Sequence, residues 1–411
     1  MDAWVNDLTP ASIRRAEEIL NSMEERRSMI DGFNNFGYNV LLKAYSKVQG
    51  GSPKAEEVFE RMKRMATDHN LPALLPDKLS YTSLMQSWIR DAVPGCLQKV
   101  EKLLQTMETE TDPRKRPDHI TYGTVMQALS HSDEPDSVER IKELMNRLDV
   151  PWNYVHFYCV IMACRNTGRA EEAVMALRQL EDLHAKGNRD CRPNFKIYLA
   201  CLDAWAASPN ATEAFSGASQ VLNSLLEWYD AGGNVHAPHQ EAFISMFTTL
   251  GRSHITGKAR AAMDLIKTME RYGTTHNEDT CARIIHTMAS ETGSREAKQE
   301  AWKVVMAVIE MIRRDPQLRG SASYNSAIHA CANLLSDPEQ ARGLMEEFFR
   351  ECCDHGFADG RALRSFQRYA LPIGSTLLES ISPRMDEILV EDIPFEWQRN
   401  LNETDSKKSP S

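Results

Sequence analysis

The sequence predicts an all-α fold, a right-handed α-solenoid of stacked helix–turn–helix repeats. Three observations predict it: a short phrase that recurs along the chain, an amphipathic segment after each phrase, and a proline stop between successive units. Each repeat of such an array packs only on its neighbours, so a chain of 411 residues does not need several separate cores.

The phrase opens each predicted first helix. It is an aromatic or similar residue, two variable residues, then two aliphatics. The instances begin at Tyr38, Tyr81, Tyr122, Phe157, Tyr198, Phe243, Cys281 and Tyr324, the Cys281 phrase being the weakest match. A second helix is predicted after each phrase from apolar residues at helical spacing. Examples are Val138, Ile141, Leu144, Met145 and Leu148; Ala170, Ala173, Val174, Leu177 and Leu180; and Ala259, Ala262, Met263, Ile266 and Met269. Turn residues such as Gly50-Gly51-Ser52-Pro53 and Thr167-Gly168 separate the two helices. Pro76-Asp77, Pro117-Asp118, Pro193-Asn194 and Pro238-His239 close units: proline stops the outgoing helix and Asp or Asn can cap the next.

These boundaries give units 35–77, 78–118, 119–153, 154–194, 195–239, 240–277, 278–320 and 321–359. Residues 1–34 read as a partial N-terminal repeat whose helix carries Ala16, Ile19, Leu20 and Met23. Residues 360–411 read as a capping helix, Arg361 to Tyr369, and a polar tail in which Ile393 to Trp397 folds back on the last helices. Asp2-Ala3-Trp4 matches Asp203-Ala204-Trp205 inside a later helix, so the chain is expected to begin within a repeat, its N-terminus truncated.

Composition excludes several classes. No apolar run approaches the roughly eighteen residues of a membrane span. The nine cysteines form no CxxC pair and fall mostly in helical patterns, which fits small buried residues in a reducing compartment. A net charge of −10 argues against a protein that coats nucleic acid indiscriminately. From Glu379 to Ser411 eight acids oppose four bases, so basic patches remain open elsewhere. His236, His239, His276 and His286 lack zinc spacing and read as surface or capping residues; no metal or cofactor is expected. Cys352-Cys353 read as core filling, and Arg114-Lys115-Arg116 as a solvated loop. Glu56-Glu57 and Glu171-Glu172 read as solvated faces of second helices, and no enzyme site is predicted.

Over roughly residues 1–370 the pattern resembles the pentatricopeptide repeat family. The elements that carry it are the Tyr-Asn-x-x-Leu opening, the Ala55 to Met62 second helix and the Pro-Asp junction. Leu42, Met85, Met126, Ile161, Leu202, Phe247, Ile285 and Ile328 stand where the related tetratricopeptide repeat needs a small residue.

The resemblance implies a groove of first helices that holds single-stranded RNA, about one base per repeat. The residue after the aromatic and the last residue of the unit would meet the base edge, and the second residue of the unit would pack on base faces. Asn39 with Asp77, and Asn325 with Asp359, resemble uracil-preferring pairs; Thr82 with Asp118 resembles a guanine-preferring pair. Gly123 with Asn153, and Tyr158 with Asn194, are half in pattern, whereas Leu199 with His239, Ile244 with Asn277 and Ala282 with Gly320 depart from it. The packing positions are apolar at Phe36, Leu79, Ile120 and Val155, then Lys196, Glu241, Asp279 and Ala322 follow.

Two functions are weighed. One is a non-catalytic single-stranded RNA binder in RNA processing, stability or translation, in a mitochondrion or plastid by the resemblance, although no presequence is visible. The other is a scaffold for a protein partner on the concave face, which Leu199, Ile244, Ala282 and the net negative charge favour. A positive stripe beside Asn39, Thr82 and Tyr158 would separate them in favour of RNA.

Overall fold

The computed structural model describes residues 9–26, 33–232, 238–382 and 384–401. The described residues hold α-helices and short 3-10 turns but no strand, and no helix long and apolar enough to cross a membrane. The chain divides into two compact units, Met1–Pro193 and Asn194–Ser411.

The first unit starts with α1 (Pro10–Glu25) and continues as four helix pairs. These are α2 (Phe36–Tyr45) with α3 (Ser52–Asp68), α4 (Lys78–Arg90) with α5 (Cys96–Thr109), α6 (His119–Ser130) with α7 (Ser137–Asn146), and α8 (Tyr154–Asn166) with α9 (Ala170–Ala185). The second unit holds α10 (Phe195–Ala207) with α11 (Ala211–Asp230), α12 (Gln240–Arg252) with α13 (Lys258–Arg271), α14 (Glu278–Ala289) with α15 (Arg295–Arg314), and α16 (Ser321–Leu334) with α17 (Pro338–Asp354), then a lone α18 (Gly360–Tyr369).

Within each unit the first helices pack side by side in chain order. Each second helix packs against its own first helix and, through most of the array, against the first helix of the next repeat. A first helix is therefore covered on several sides, which explains its nearly continuous apolar sequence. Tyr38, Tyr81, Phe157, Tyr198, Phe243, Cys281 and Tyr324 of the recurring phrase are all buried, as are the two aliphatics that end it. Tyr122 is the exception, half-buried with its hydroxyl reaching Glu108 Oε1 at 3.4 Å.

The second helices show amphipathic burial with two departures from the expected stripes. Leu148 lies beyond the end of α7, and on α13 Leu265 is buried while Met263 is exposed. In α1, Ile13, Ala16 and Leu20 are buried, whereas Ile19 and Met23 are only half covered.

Most first helices start on a side-chain cap. Asp77, Asp118, Asn153 and Asn277 each accept backbone N–H bonds from the first turn, and the third helical residue (Ser80, Thr121, His156, Thr280) accepts from the cap's own N–H. His239 and Gly320 make no side-chain cap, and His239 packs on Phe195 at 4.8 Å between ring centroids. Between helices, Gly50 (φ +75°) and Gly168 (φ +72°) sit in the left-handed region that suits glycine.

One polar network is buried in the second unit. Lys258 is 2 % exposed, and its Nζ donates to Gly251 O (2.9 Å), Ser290 O (3.1 Å) and Ser290 Oγ (2.8 Å). The ammonium thus closes carbonyls at the ends of α12 and α14 together. After α18 the chain returns across α17: Trp397 meets Phe349 edge to face at 6.3 Å, and its carbonyl accepts from Ala358 N at 2.8 Å.

Candidate nucleic-acid interface

Packing leaves each first helix one open stripe, and the register of that stripe can be read directly. On α2 the only exposed residues are Phe36 and Lys43, each one turn from Asn39, which lies between them and is buried. The corresponding stripes are Leu79, Gln86 and Arg90 on α4, with buried Thr82 between them, Ile120, Gly123 and Gln127 on α6, and Val155, Tyr158, Met162 and Arg165 on α8. Phe36, Leu79, Ile120 and Val155 are 57, 48, 54 and 53 % exposed. Four large apolar side chains at one register position, half in water, are costly where they do nothing.

Beside each apolar residue lies the second position of interest, and here the polar groups are already bonded. Asn39 Nδ2 donates to both carboxylate oxygens of Asp77 at 3.2 Å, and Ser80 Oγ donates to Asn39 Oδ1 at 2.6 Å. Asn35 Nδ2 adds a further bond to Asp77 Oδ2 at 2.9 Å. Asp77 Oδ1 meanwhile accepts from Leu79 N and Ser80 N, so this one carboxylate caps α4 and anchors Asn39.

The next repeat repeats the plan with one link more. Thr82 Oγ1 lies 3.2 Å from Thr121 Oγ1, which donates to Asp118 Oδ1 at 3.1 Å; Thr82 also donates to Lys78 O at 2.7 Å. Lys78 Nζ stands 3.2 Å from Asp118 Oδ2. Burial raises the Asp118 pKa, but Thr121 and the Lys78 ammonium outweigh it and hold the carboxyl below its usual range. The sequence pairs Thr82 with Asp118 directly, whereas the structure connects them through Thr121.

The other pairs differ. Gly123 offers no side chain, and a Cβ built there meets nothing within 4 Å. Its partner Asn153 caps α8 through Val155 N (2.9 Å) and His156 N (3.3 Å). Tyr158 stacks on Tyr154, centroids 5.8 Å apart and planes 22° apart, so a flat ring occupies the place of an edge reader. Asn194 belongs to the second unit and caps α10 by accepting from Ile197 N at 3.2 Å.

Also in the second unit, Asn325 Oδ1 accepts from Ser365 Oγ at 2.5 Å, and Asp359 is a buried cap of α18 held by Arg361 Nε at 3.0 Å. The packing register continues through exposed Lys196, Glu241 and Asp279 and half-covered Ala322. Between α12 and α14 lies a pocket of about 400 Å³ that includes His239, Glu241, Ile244, Asn277 and Asp279. Two carboxylates stand there where the first unit presents apolar side chains.

Charge follows the same division. The four first helices of the first unit carry Lys43, Lys78, Arg90 and Arg165 and no Asp or Glu; acids enter only at their ends, as the N-caps Asp77 and Asp118 and the C-cap Asp91. Arg90 Nε donates to Ser46 O at 2.7 Å, and Lys43 has no carboxylate partner among the described residues. The net negative charge of the chain is thus kept off this face, which sequence-wide counting did not reveal. The Arg114-Lys115-Arg116 loop is tied down locally, Arg114 to Asp112 at 2.8 Å and Lys115 to Glu110 at 3.6 Å. His236 lies outside the described residues. Burial pushes the Cys353 thiol up to about 12 and Cys352 well above its ordinary value.

No family model and no curated protein matches the sequence. Solved structures do. The chain is similar to the pentatricopeptide repeat protein PPR10 in complex with an 18-nt psaJ RNA element, at a TM-score of 0.57 and 16 % identity, covering 89 % of this chain and 48 % of that one. It is also similar to PPR10 from maize, at a TM-score of 0.50 and 17 % identity over 93 % of this chain and 48 % of that one. The chain therefore spans about half the length of the proteins it matches. Register, helix pairing and structural likeness agree: the chain has the pentatricopeptide repeat fold.

Proposed function

We propose that the first unit binds single-stranded RNA across the open face of α2, α4, α6 and α8, without catalysis. The observation that carries this reading is the row of Phe36, Leu79, Ile120 and Val155, half exposed at one register position on helices that contain no Asp or Glu. Apolar side chains at that spacing can sandwich successive bases, and the cations suit the phosphates between them. Asn39 with Asp77, and Thr82 with Asp118 through Thr121, would then exchange their internal bonds for bonds to base edges. Gly123 with Asn153 supplies half a reading pair, Tyr158 supplies a stacking surface, and Asn194, Asn325 and Asp359 lie in the second unit, where the pattern is thinner. The similar structure holds an RNA element, which favours the same ligand class here. We place the role in RNA processing, stability or translation in a mitochondrion or plastid.

A second reading applies to the second unit. Leu199, Ile244 and Ala282 at the edge-reading positions offer no hydrogen bond to a base, and the Glu241 and Asp279 carboxylates in the nearby pocket repel a phosphate chain, which suits a protein partner better.

The test is crosslinking of the full chain to RNA followed by sequencing, with affinities measured for the recovered sequence. Asn39→Ala and Thr82→Ala should each weaken that RNA by about tenfold, and less for RNAs altered at the matching base. Retention of no RNA above background at moderate salt would end the proposal.

A further inference from the structure

The far end of the second unit carries a side-chain group that the base-facing register does not use. On α14, α16 and α18 the residues one turn beyond the edge-reading positions are His286, His329 and Arg368. The rings of His286 and His329 stack, centroids 5.8 Å apart and planes 26° apart, and His329 next meets Tyr369 at 5.5 Å. Arg368 lies over the Tyr369 ring, 5.3 Å from its centroid. Asn333 Nδ2 sits 3.0 Å from His329 Nε2 and 3.1 Å from Ala289 O, which fixes the middle ring of the row. Burial holds both histidines below their ordinary pKa, so the row is uncharged at neutral pH.

Cations flank this row. Helix α18 presents Arg361, Arg364 and Arg368 one turn apart, all exposed, and neither α16 nor α18 contains an Asp or Glu. Arg361 is engaged by Asp359, while Arg364 and Arg368 have no carboxylate partner among the described residues. A guanidinium pair without carboxylates, set against a row of flat neutral rings, matches the two parts of a nucleotide.

We propose that this end of the second unit is a sequence-independent contact for single-stranded RNA. One or more bases stack along His286, His329 and Tyr369, and Arg364 and Arg368 hold the adjoining phosphates. The site offers π-faces and forks but no row of edge-reading groups, so it grips without selecting. An acidic peptide could use the arginines but would leave the rings idle. The proposal rests on RNA being the ligand of the first unit.

The experiment uses the full chain and a fluorescent single-stranded RNA of about twenty nucleotides, in one uridine-only and one mixed-sequence version. Arg364→Ala/Arg368→Ala should weaken both RNAs alike and reduce the slope of log affinity against log salt by about 1.4, the release expected for two phosphates of a single strand. His329→Ala should weaken both by about tenfold with the salt slope unchanged. RNA containing 4-thiouridine should crosslink to Tyr369 or His329, located by mass spectrometry. If wild type binds and these variants match it in affinity and slope, this site is refuted while the first unit's role stands. If wild type binds neither RNA, both proposals fall. If a polyglutamate peptide binds equally well with the same arginine dependence and no effect of His329→Ala, the surface takes polyanions or acidic proteins and the stacking site is refuted.

Discussion

Helix α4 contains two leucines with opposite fates, and they provide the sharpest test of the interface. Leu79 is 48 % exposed at the base-packing register, and Leu84, on the same helix, is 3 % exposed within the core. Full burial of a leucine side chain is worth about 1.5–3 kcal/mol, so covering the free half of Leu79 with a base is worth roughly 1 kcal/mol, about fivefold in Kd. Ile120 and Val155 are exposed to a similar degree on neighbouring helices. Replacing all three by alanine should therefore weaken RNA by on the order of 100-fold, the sites being far enough apart to add. Stability should change little, because alanine's helix propensity offsets part of the lost packing. Leu84→Ala should do the reverse: a loss of about 2–5 kcal/mol in stability and unaltered affinity of the folded fraction. Fluorescence anisotropy with the selected RNA and denaturant unfolding of each variant supply the two readings. The reasoning is refuted if the triple variant binds as wild type does, or if it unfolds as readily as Leu84→Ala.

Other expectations concern the scaffold. Lys258→Met removes three hydrogen bonds from a buried ammonium and should cost about 2 kcal/mol in denaturant unfolding. Burial lowers the Lys258 pKa, so the folded chain binds fewer protons and stability should rise with pH between the folded and unfolded values; Lys258→Met should abolish that rise. A Cβ on Gly217 would lie 2.2 Å from the Trp205 ring, so Gly217→Ala should destabilise the second unit by about 1–2 kcal/mol despite alanine's better helix propensity, seen as a lower Tm. Asp91 accepts from Gly50 N at 2.8 Å and Ser52 N at 2.7 Å, and these bonds outweigh burial to hold its pKa low. Its contribution is present at neutral pH and lost as pH falls through the folded value, so Asp91→Asn should lower stability at pH 7 and shrink the acid-induced loss.

The fold was legible because its signals are periodic. Tyr38 to Leu42 alone would be weak, but the same phrase recurring from Tyr81 to Tyr324 defines the first helices, and Pro76-Asp77 and Pro117-Asp118 define their starts. Finer features were not legible because they depend on what packs against what. Nothing in the spacing shows that Thr82 reaches Asp118 only through Thr121, or that Met263 is exposed while Leu265 is buried. The charge of the open face was hidden for a similar reason. Acids concentrate on second helices and in the tail, and a whole-chain count cannot see that α2, α4, α6 and α8 carry none. The row of His286, His329 and Tyr369 could have been found by aligning repeats one turn past the reading position, a register that the family resemblance does not single out.

Caps and reading positions are physically linked, and this linkage accounts for their unequal distribution. In the first unit, Asp77 and Asp118 each end one repeat and start the next helix, and their hydroxyl partners Ser80 and Thr121 also touch Asn39 and Thr82 of the preceding repeat. A polar residue at Asn39 is thus supported by the same carboxylate that caps α4. Where the cap is lost, the support is lost with it: His239 and Gly320 make no side-chain cap, and the residues that would face them, Leu199 and Ala282, are apolar. Asn153 and Asn277 are exceptions, since they cap α8 and α14 with His156 and Thr280 although Gly123 and Ile244 face them. An apolar residue cannot bond to a capping group, and an uncapped helix start offers nothing for a polar residue to bond. A polar reader therefore needs the cap, although a cap does not need the reader, and the surface of a repeat without the pair is released to bind by other chemistry, as the rings and arginines of α14, α16 and α18 do in this proposal.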